Sequence, residues 1–155
     1  MPDYRRLYVP GGTYFFTVNL ANRQSTLLTD EIEKLRIAYR AVSKTWPFET
    51  IAICILPDHL HCIWSLPEGD ANFSTRWRLI KLNFSKSVAK SDDPAQGRRP
   101  GERGIWQRRY WEQLVRDERD LETCINYVYG NPVKHGLVAE IPDWPYSSWH
   151  RDHKA

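Results

Sequence analysis

The sequence predicts an α+β protein, a mainly antiparallel sheet with helices packed on one face, and three observations carry that prediction. Apolar residues switch along the chain between alternation and three-to-four-residue spacing, in the order β, α, β, β, α, β, α. With 155 residues, 41% of them hydrophobic, the chain has enough for one core and too little for two, so residues 1–155 read as a single domain. Aromatics make up 13%, including seven Trp, which excludes disorder for most of the chain and supplies more flat side chains than a core of this size requires.

Each element has its own signal. Gly11-Gly12 marks a turn, and the β-branched and aromatic run from Thr13 to Asn19 reads as the first strand. Asp30 and Glu33 have capping-box spacing ahead of Ile32, Leu35, Tyr39 and Val42, which predicts a helix over 30–44, stopped by Trp46-Pro47. Phe48 to Leu56 is a strand apolar on both faces, and Pro57-Asp58 turns it into a second strand, His59 to Leu66, as an antiparallel hairpin. A second helix is predicted over 74–90, with Trp77, Ile80, Leu82, Phe84 and Val88 among basic residues. Residues 91–104 hold two Pro and three Gly with almost no apolar side chain, and read as a mobile loop. Ile105 to Val115 reads as extended, and 117–130 as a third helix ended by Gly130 and Pro132. The tail from Trp144 to Trp149 is expected to pack on the body, with fraying from Arg151 onward.

Composition also bounds the function. The longest apolar run, Ile51 to Leu56, is far short of the roughly 20 residues that span a bilayer, and the start has no secretory hydrophobic core. A soluble, cytoplasmic protein without a membrane partner is expected. Cys54, Cys62 and Cys124 are odd in number, form no CxxC pair and lie in apolar stretches, as buried free thiols do. Net charge is only +3, yet residues 76–109 carry ten Lys and Arg against three Asp and Glu, an excess that suggests an acidic partner.

Two constellations bear on chemistry. His59 and His61 alternate on a strand, so both imidazoles project from one face, where they can share a divalent ion or serve as ordinary surface and hydrogen-bonded residues. On the third helix, at roughly 100° per residue, Leu121, Cys124, Ile125 and Val128 form the buried stripe. Tyr127 and Asn131 share one flank and Tyr129 falls on the other. A phenol and an amide so placed suit a nucleophile and a ligand, or a core-edge Tyr and a helix-capping Asn. Together the parts allow a phosphotyrosine ester to form on a DNA strand, a bond that stores the energy of the cleaved phosphodiester for rejoining.

Several longer stretches carry a resemblance. These are Tyr4-Arg5-Arg6, Pro10-Gly11-Gly12-Thr13, Leu56-Pro57-Asp58-His59-Leu60-His61, the run from Trp106 to Glu112, the run from Tyr127 to Val138, and Asp143-Trp144-Pro145-Tyr146-Ser147-Ser148. In this order, over nearly the whole chain, they resemble the REP-associated tyrosine transposases, relatives of the single-tyrosine HUH transposases of small insertion sequences. The resemblance implies a ferredoxin-like HUH nuclease fold and an enzyme that nicks and rejoins single-stranded REP hairpin DNA through a 5′-phosphotyrosine, with Mg²⁺ or Mn²⁺. It places the HUH pair on His59 and His61, the nucleophile on Tyr127 and the third ligand on Asn131, where the insertion-sequence relatives usually have the longer Gln. Arg5, Arg6, Arg76, Arg78, Lys81, Lys86, Arg108 and Arg109 are candidates to track phosphates, and Trp106 or Trp111 to stack on an unpaired base. A monomer and a homodimer are both compatible with it. The rival reading is a non-catalytic protein that binds single-stranded or hairpin DNA on the same scaffold; a metal-assisted hydrolase of a small substrate is the third.

Overall fold

A computed structural model describes residues 7–88 and 104–153. In chain order they form β1 (Thr13–Asn19), the single turn α1 (Leu27–Asp30), α2 (Ile32–Thr45), β2 (Glu49–Ile55) and β3 (His59–Ser65). Then follow α3 (Phe73–Ser87), β4 (Trp111–Leu114), α4 (Glu118–Lys134), a 3-10 turn at Ile141–Asp143 and α5 (Trp149–Asp152). The four strands build one antiparallel sheet in the order β2-β3-β1-β4. With α2 and α3 as connections this is the β-α-β-β-α-β ferredoxin-like layout, so the α+β class expected from sequence holds.

Directly paired residues of antiparallel neighbours project to the same side of the sheet. Tyr14, Phe16 and Val18 of β1 therefore join Leu60, Cys62 and Trp64 of β3 on one face, under Leu35, Ala38 and Val42 of α2 and Phe73, Trp77, Ile80 and Phe84 of α3. On the other face Phe15, Ala52, Cys54 and Ile63 pack against Cys124, Val128 and Tyr129 of α4. The expectation of helices on one face is thus met by α2 and α3 and corrected for α4. The reason lies in β3, which is buried on both sides from His59 to Trp64 and needs cover on both.

Several boundaries move. The Asp30 capping box does not form: its carboxylate accepts from Thr26 Oγ1 at 2.6 Å within α1, and α2 begins at Ile32 without a side-chain cap. Of the extended 105–115 stretch only β4 joins the sheet fully, Trp106 making an isolated bridge to Leu20. Helix α4 runs through Gly130 and Pro132 to Lys134 and ends at Gly136, with φ of 71°. There Gly136 N–H donates to Val133 O at 3.0 Å and Leu137 N–H to Pro132 O at 2.9 Å, a Schellman closure that Gly136 permits and Gly130 does not supply. The tail covers the outer edge of β2, with Ile55 N–H donating to Tyr146 O at 2.8 Å and Ser148 N–H to Ile53 O at 2.9 Å. Arg151 was expected to fray and instead is docked, its guanidinium donating to Thr50 O at 3.0 Å and Ile51 O at 2.8 Å. The three cysteines are free and buried. Among the described residues no helix is long and apolar enough to cross a membrane. The loop expected over 91–104 lies, up to residue 103, outside the described residues.

Candidate active site

The site is built on the α4 face of the sheet. His59 and His61 both point there, and each is oriented through its Nδ1: His59 Nδ1 lies 2.8 Å from Asp58 Oδ1, and His61 Nδ1 lies 2.8 Å from Thr17 Oγ1 on the paired strand. Asp58, which the sequence offered only as a turn residue, is itself held by Arg23 at 2.7 Å, and these contacts keep its carboxyl below the usual range despite partial burial. Anchoring Nδ1 leaves Nε2 on both rings facing the site, the arrangement that metal-binding imidazoles use. Burial above all, then the neighbouring His59, pushes the His61 imidazole down to about 3, and burial also lowers His59, so both rings are neutral at pH 7.

Helix α4 brings the other two groups. Tyr127 is 42% exposed, its ring centroid 5.2 Å from that of His61 and 5.7 Å from Phe15. One turn later Asn131 is 0% exposed, and both polar atoms of its amide lack a hydrogen bond of normal geometry, as does the buried His61 Nε2. The amide lies near enough to His61 to favour its charged form, against the dominant effect of burial. Unpaired polar atoms this deeply buried are costly unless something fills the space between them. Two imidazole nitrogens and an amide oxygen are a donor set that a divalent cation accepts. No cluster of three His, Cys, Asp or Glu gathers among the described residues. Tyr129, on the opposite flank, is tied to the tail, lying 3.1 Å from Ser148 Oγ and donating to Asp152.

Two further residues come in with the extra turn of α4. Lys134 Nζ lies 5.0 Å from the Tyr127 ring centroid, and the exposed His135 ring lies 5.4 Å from His59. Sequence reasoning missed both because it ended the helix at Gly130; the signal was Gly136, two residues past Lys134.

The basic and aromatic candidates divide. Arg76 is only 1% exposed: it pairs with Asp70 at 2.8 Å and donates to Trp46 O and Pro47 O, so it braces α3 against the end of α2 and is not open to phosphate. Trp106 is likewise corrected to a core residue, packed on Phe84 with its indole N–H donating to Lys81 O at 3.2 Å. Lys81 is half-buried and donates to Gln107 O at 2.8 Å. Arg78 and Lys86 are exposed on α3, on the far side of the sheet from the imidazoles, whereas Arg108 and Arg109 are exposed just ahead of β4. Arg5 and Arg6 lie outside the described residues.

Paired imidazoles on a central strand of a ferredoxin-like sheet face a tyrosine presented from α4, and the comparisons with known proteins supply the class, an enzyme of the transposase type that acts on DNA. The family described as "Transposase IS200 like" matches residues 9–131. The chain belongs to that family and, within it, to the REP-associated tyrosine transposases. The member of that name from Escherichia coli K12 is 48% identical over 152 residues, covering 98% of this chain and 85% of the relative. A Haemophilus influenzae relative is also 48% identical, over 157 residues that cover 100% of this chain and 89% of its own. A solved REP-associated tyrosine transposase bound to a REP hairpin matches with a TM-score of 0.86 and 48% identity, over 98% of this chain and 85% of that one.

Proposed function

We propose that this transposase nicks and rejoins single-stranded REP-type hairpin DNA through a 5′-phosphotyrosine on Tyr127. The observation that carries the reading is the placement of an exposed phenol 5.2 Å from the His61 ring, with the buried, unpaired Asn131 amide one turn further on. His59 and His61, through Nε2, and Asn131, through its amide oxygen, would hold Mg²⁺ or Mn²⁺. Such an ion, when bound, supplies Lewis-acid polarisation of a phosphate and stabilises the charge that develops there.

The chain's own groups do the rest. The phenol loses its proton and its oxygen attacks the phosphorus of the bound phosphodiester; the Tyr127 O–P bond forms, the P–O3′ bond breaks, and the departing 3′-oxygen takes up a proton. Attack of a second 3′-OH on the phosphotyrosine reverses the exchange and restores the phenol, so joining needs no nucleotide cofactor. Asp58, an acceptor, fixes the tautomer of His59 by taking its Nδ1 proton, and the Thr17 hydroxyl holds the orientation of the His61 ring. Lys134, above the phenol ring, adds positive charge where phosphate would lie.

The REP hairpin bound by the solved relative makes a folded REP strand the appropriate substrate. On such a strand with Mn²⁺, wild type and Tyr129→Phe form a covalent protein–DNA adduct and Tyr127→Phe forms none, read as a denaturing-gel shift. An adduct that persists in Tyr127→Phe overturns the assignment. Tight binding by wild type with neither adduct nor cleavage favours the non-catalytic alternative.

A further inference from the structure

We infer that Arg23 is a positioning residue for the imidazole pair: through Asp58 it fixes the orientation of His59, and with it the hold of the site on a divalent cation. The inference rests on the metal-assisted function proposed above and names a residue outside the site on which that function depends. Three side chains in contact carry it. Arg23 Nε donates to Asp58 Oδ2 at 2.7 Å, and His59 Nδ1 lies 2.8 Å from Asp58 Oδ1. The two oxygens of one carboxylate are divided between a guanidinium and a ring.

The carboxylate by itself does not define the ring. The terminal torsion of an Asp side chain is broad, so an acceptor left to pivot lets the imidazole pivot with it. A charge-assisted bond from a guanidinium to Oδ2 holds the carboxylate plane and keeps Oδ1 on Nδ1. The Nε2 of His59 then keeps one direction into the site. Outer partners of this kind set how tightly a metal-binding imidazole grips its ion.

The backbone is built to present Arg23 at this point. Leu20 N–H donates to Asp58 O at 2.8 Å on one side of Arg23, and Leu28 N–H donates to Pro57 O at 3.1 Å on the other. These bonds clamp the segment between β1 and α1 onto the hairpin turn that precedes β3, and Leu20 and Leu28 are both buried beneath it. Between them Asn22 closes a turn, its Oδ1 accepting from Gln24 N–H at 3.0 Å and its carbonyl from Ser25 N–H at 3.1 Å. Arg23 lies inside that turn. Folding stability does not account for the pair, since the Arg23 side chain is 50% exposed and ion pairs so open to solvent contribute little. Its far end, however, reaches a buried ring of the site.

The test binds Mn²⁺ to the full-length protein without DNA, with free Mn²⁺ read by electron paramagnetic resonance. Arg23→Ala is expected to weaken binding roughly three- to tenfold, and Arg23→Lys to keep most of the affinity. Asp58→Ala should lose at least as much, and Arg23→Ala added to it should cost nothing further. In the metal-free protein the His59 Nδ1 proton, followed by nitrogen-edited NMR, should exchange with water faster in Arg23→Ala than in wild type. A pair that only braced the fold would move neither reading. Equal Mn²⁺ affinity in wild type and Arg23→Ala, or additive losses in the double variant, overturns the inference. So does a loss of REP-hairpin affinity in EDTA with Mn²⁺ affinity intact, which would make Arg23 a DNA contact. Wild type that binds no Mn²⁺ removes the metal-assisted reading and this inference with it. Absence of the Tyr127 adduct, with the Mn²⁺ difference intact, sinks the catalytic reading alone.

Discussion

His61 sits at the centre of the site and pays for that position in acid. Its folded imidazole titrates at about 3 because burial first, then the neighbouring His59, opposes the charged ring, while an unfolded His titrates near 6.5. The folded pKa is depressed, so the unfolded chain takes up this proton first as pH falls. The contribution of His61 to stability is complete above pH 6.5 and is lost progressively as pH drops towards 3, with a slope of up to about 1.4 kcal/mol per pH unit. His59 is shifted in the same direction. The lowered carboxylates Asp58, Asp70 and Asp152 start from 3.8 and act only below the pH 4 region, leaving the window above it to the histidines. Urea titrations between pH 7.5 and 4.5 should show stability falling with pH in wild type and a shallower fall in His61→Gln. Equal slopes would mean that the ring is solvated.

At the scale of the element, α4 decides the site by its length. Stopping at Gly130 would leave out Asn131, Lys134 and His135; continuing to the Gly136 closure presents all three beside the imidazoles. The two glycines consequently respond in opposite ways to the same change. A Cβ at Gly130 meets nothing within 4 Å, so Gly130→Ala is expected to stabilise by about 0.5–1 kcal/mol through helix propensity. Gly136 has φ of 71°, and Gly136→Ala is expected to destabilise by about 1–2 kcal/mol although its Cβ also meets nothing. Thermal unfolding of the two variants reads both signs. Pro132 fits within the helix at the loss of a single backbone donor, and it is its carbonyl that Leu137 uses in the closure.

Over the whole molecule, the described residues disperse in space charge that is clustered in sequence. The basic 76–109 stretch sends Arg76 into an ion pair under the helices, Arg78 and Lys86 to the outside of α3, and Arg108 and Arg109 to the approach to β4. Arg76→Ala, which removes the guanidinium shared by Asp70 and the carbonyls of Trp46, Pro47 and Asn72, should cost about 3 kcal/mol in a denaturant titration, against less than about 0.5 kcal/mol for Arg78→Ala. The sequence by itself determined what local periodicity determines. Two-residue alternation put both imidazoles on one face of β3, and the 100° step of the helix put Tyr127 and Asn131 on one flank with Tyr129 on the other. Only the tertiary structure decided that α4 crosses to the imidazole face, that Asn131, Arg76 and Trp106 are buried, and that Asp58 and Thr17 orient the rings. Burial and partnership depend on which distant surfaces meet, and residue spacing along one chain does not encode that.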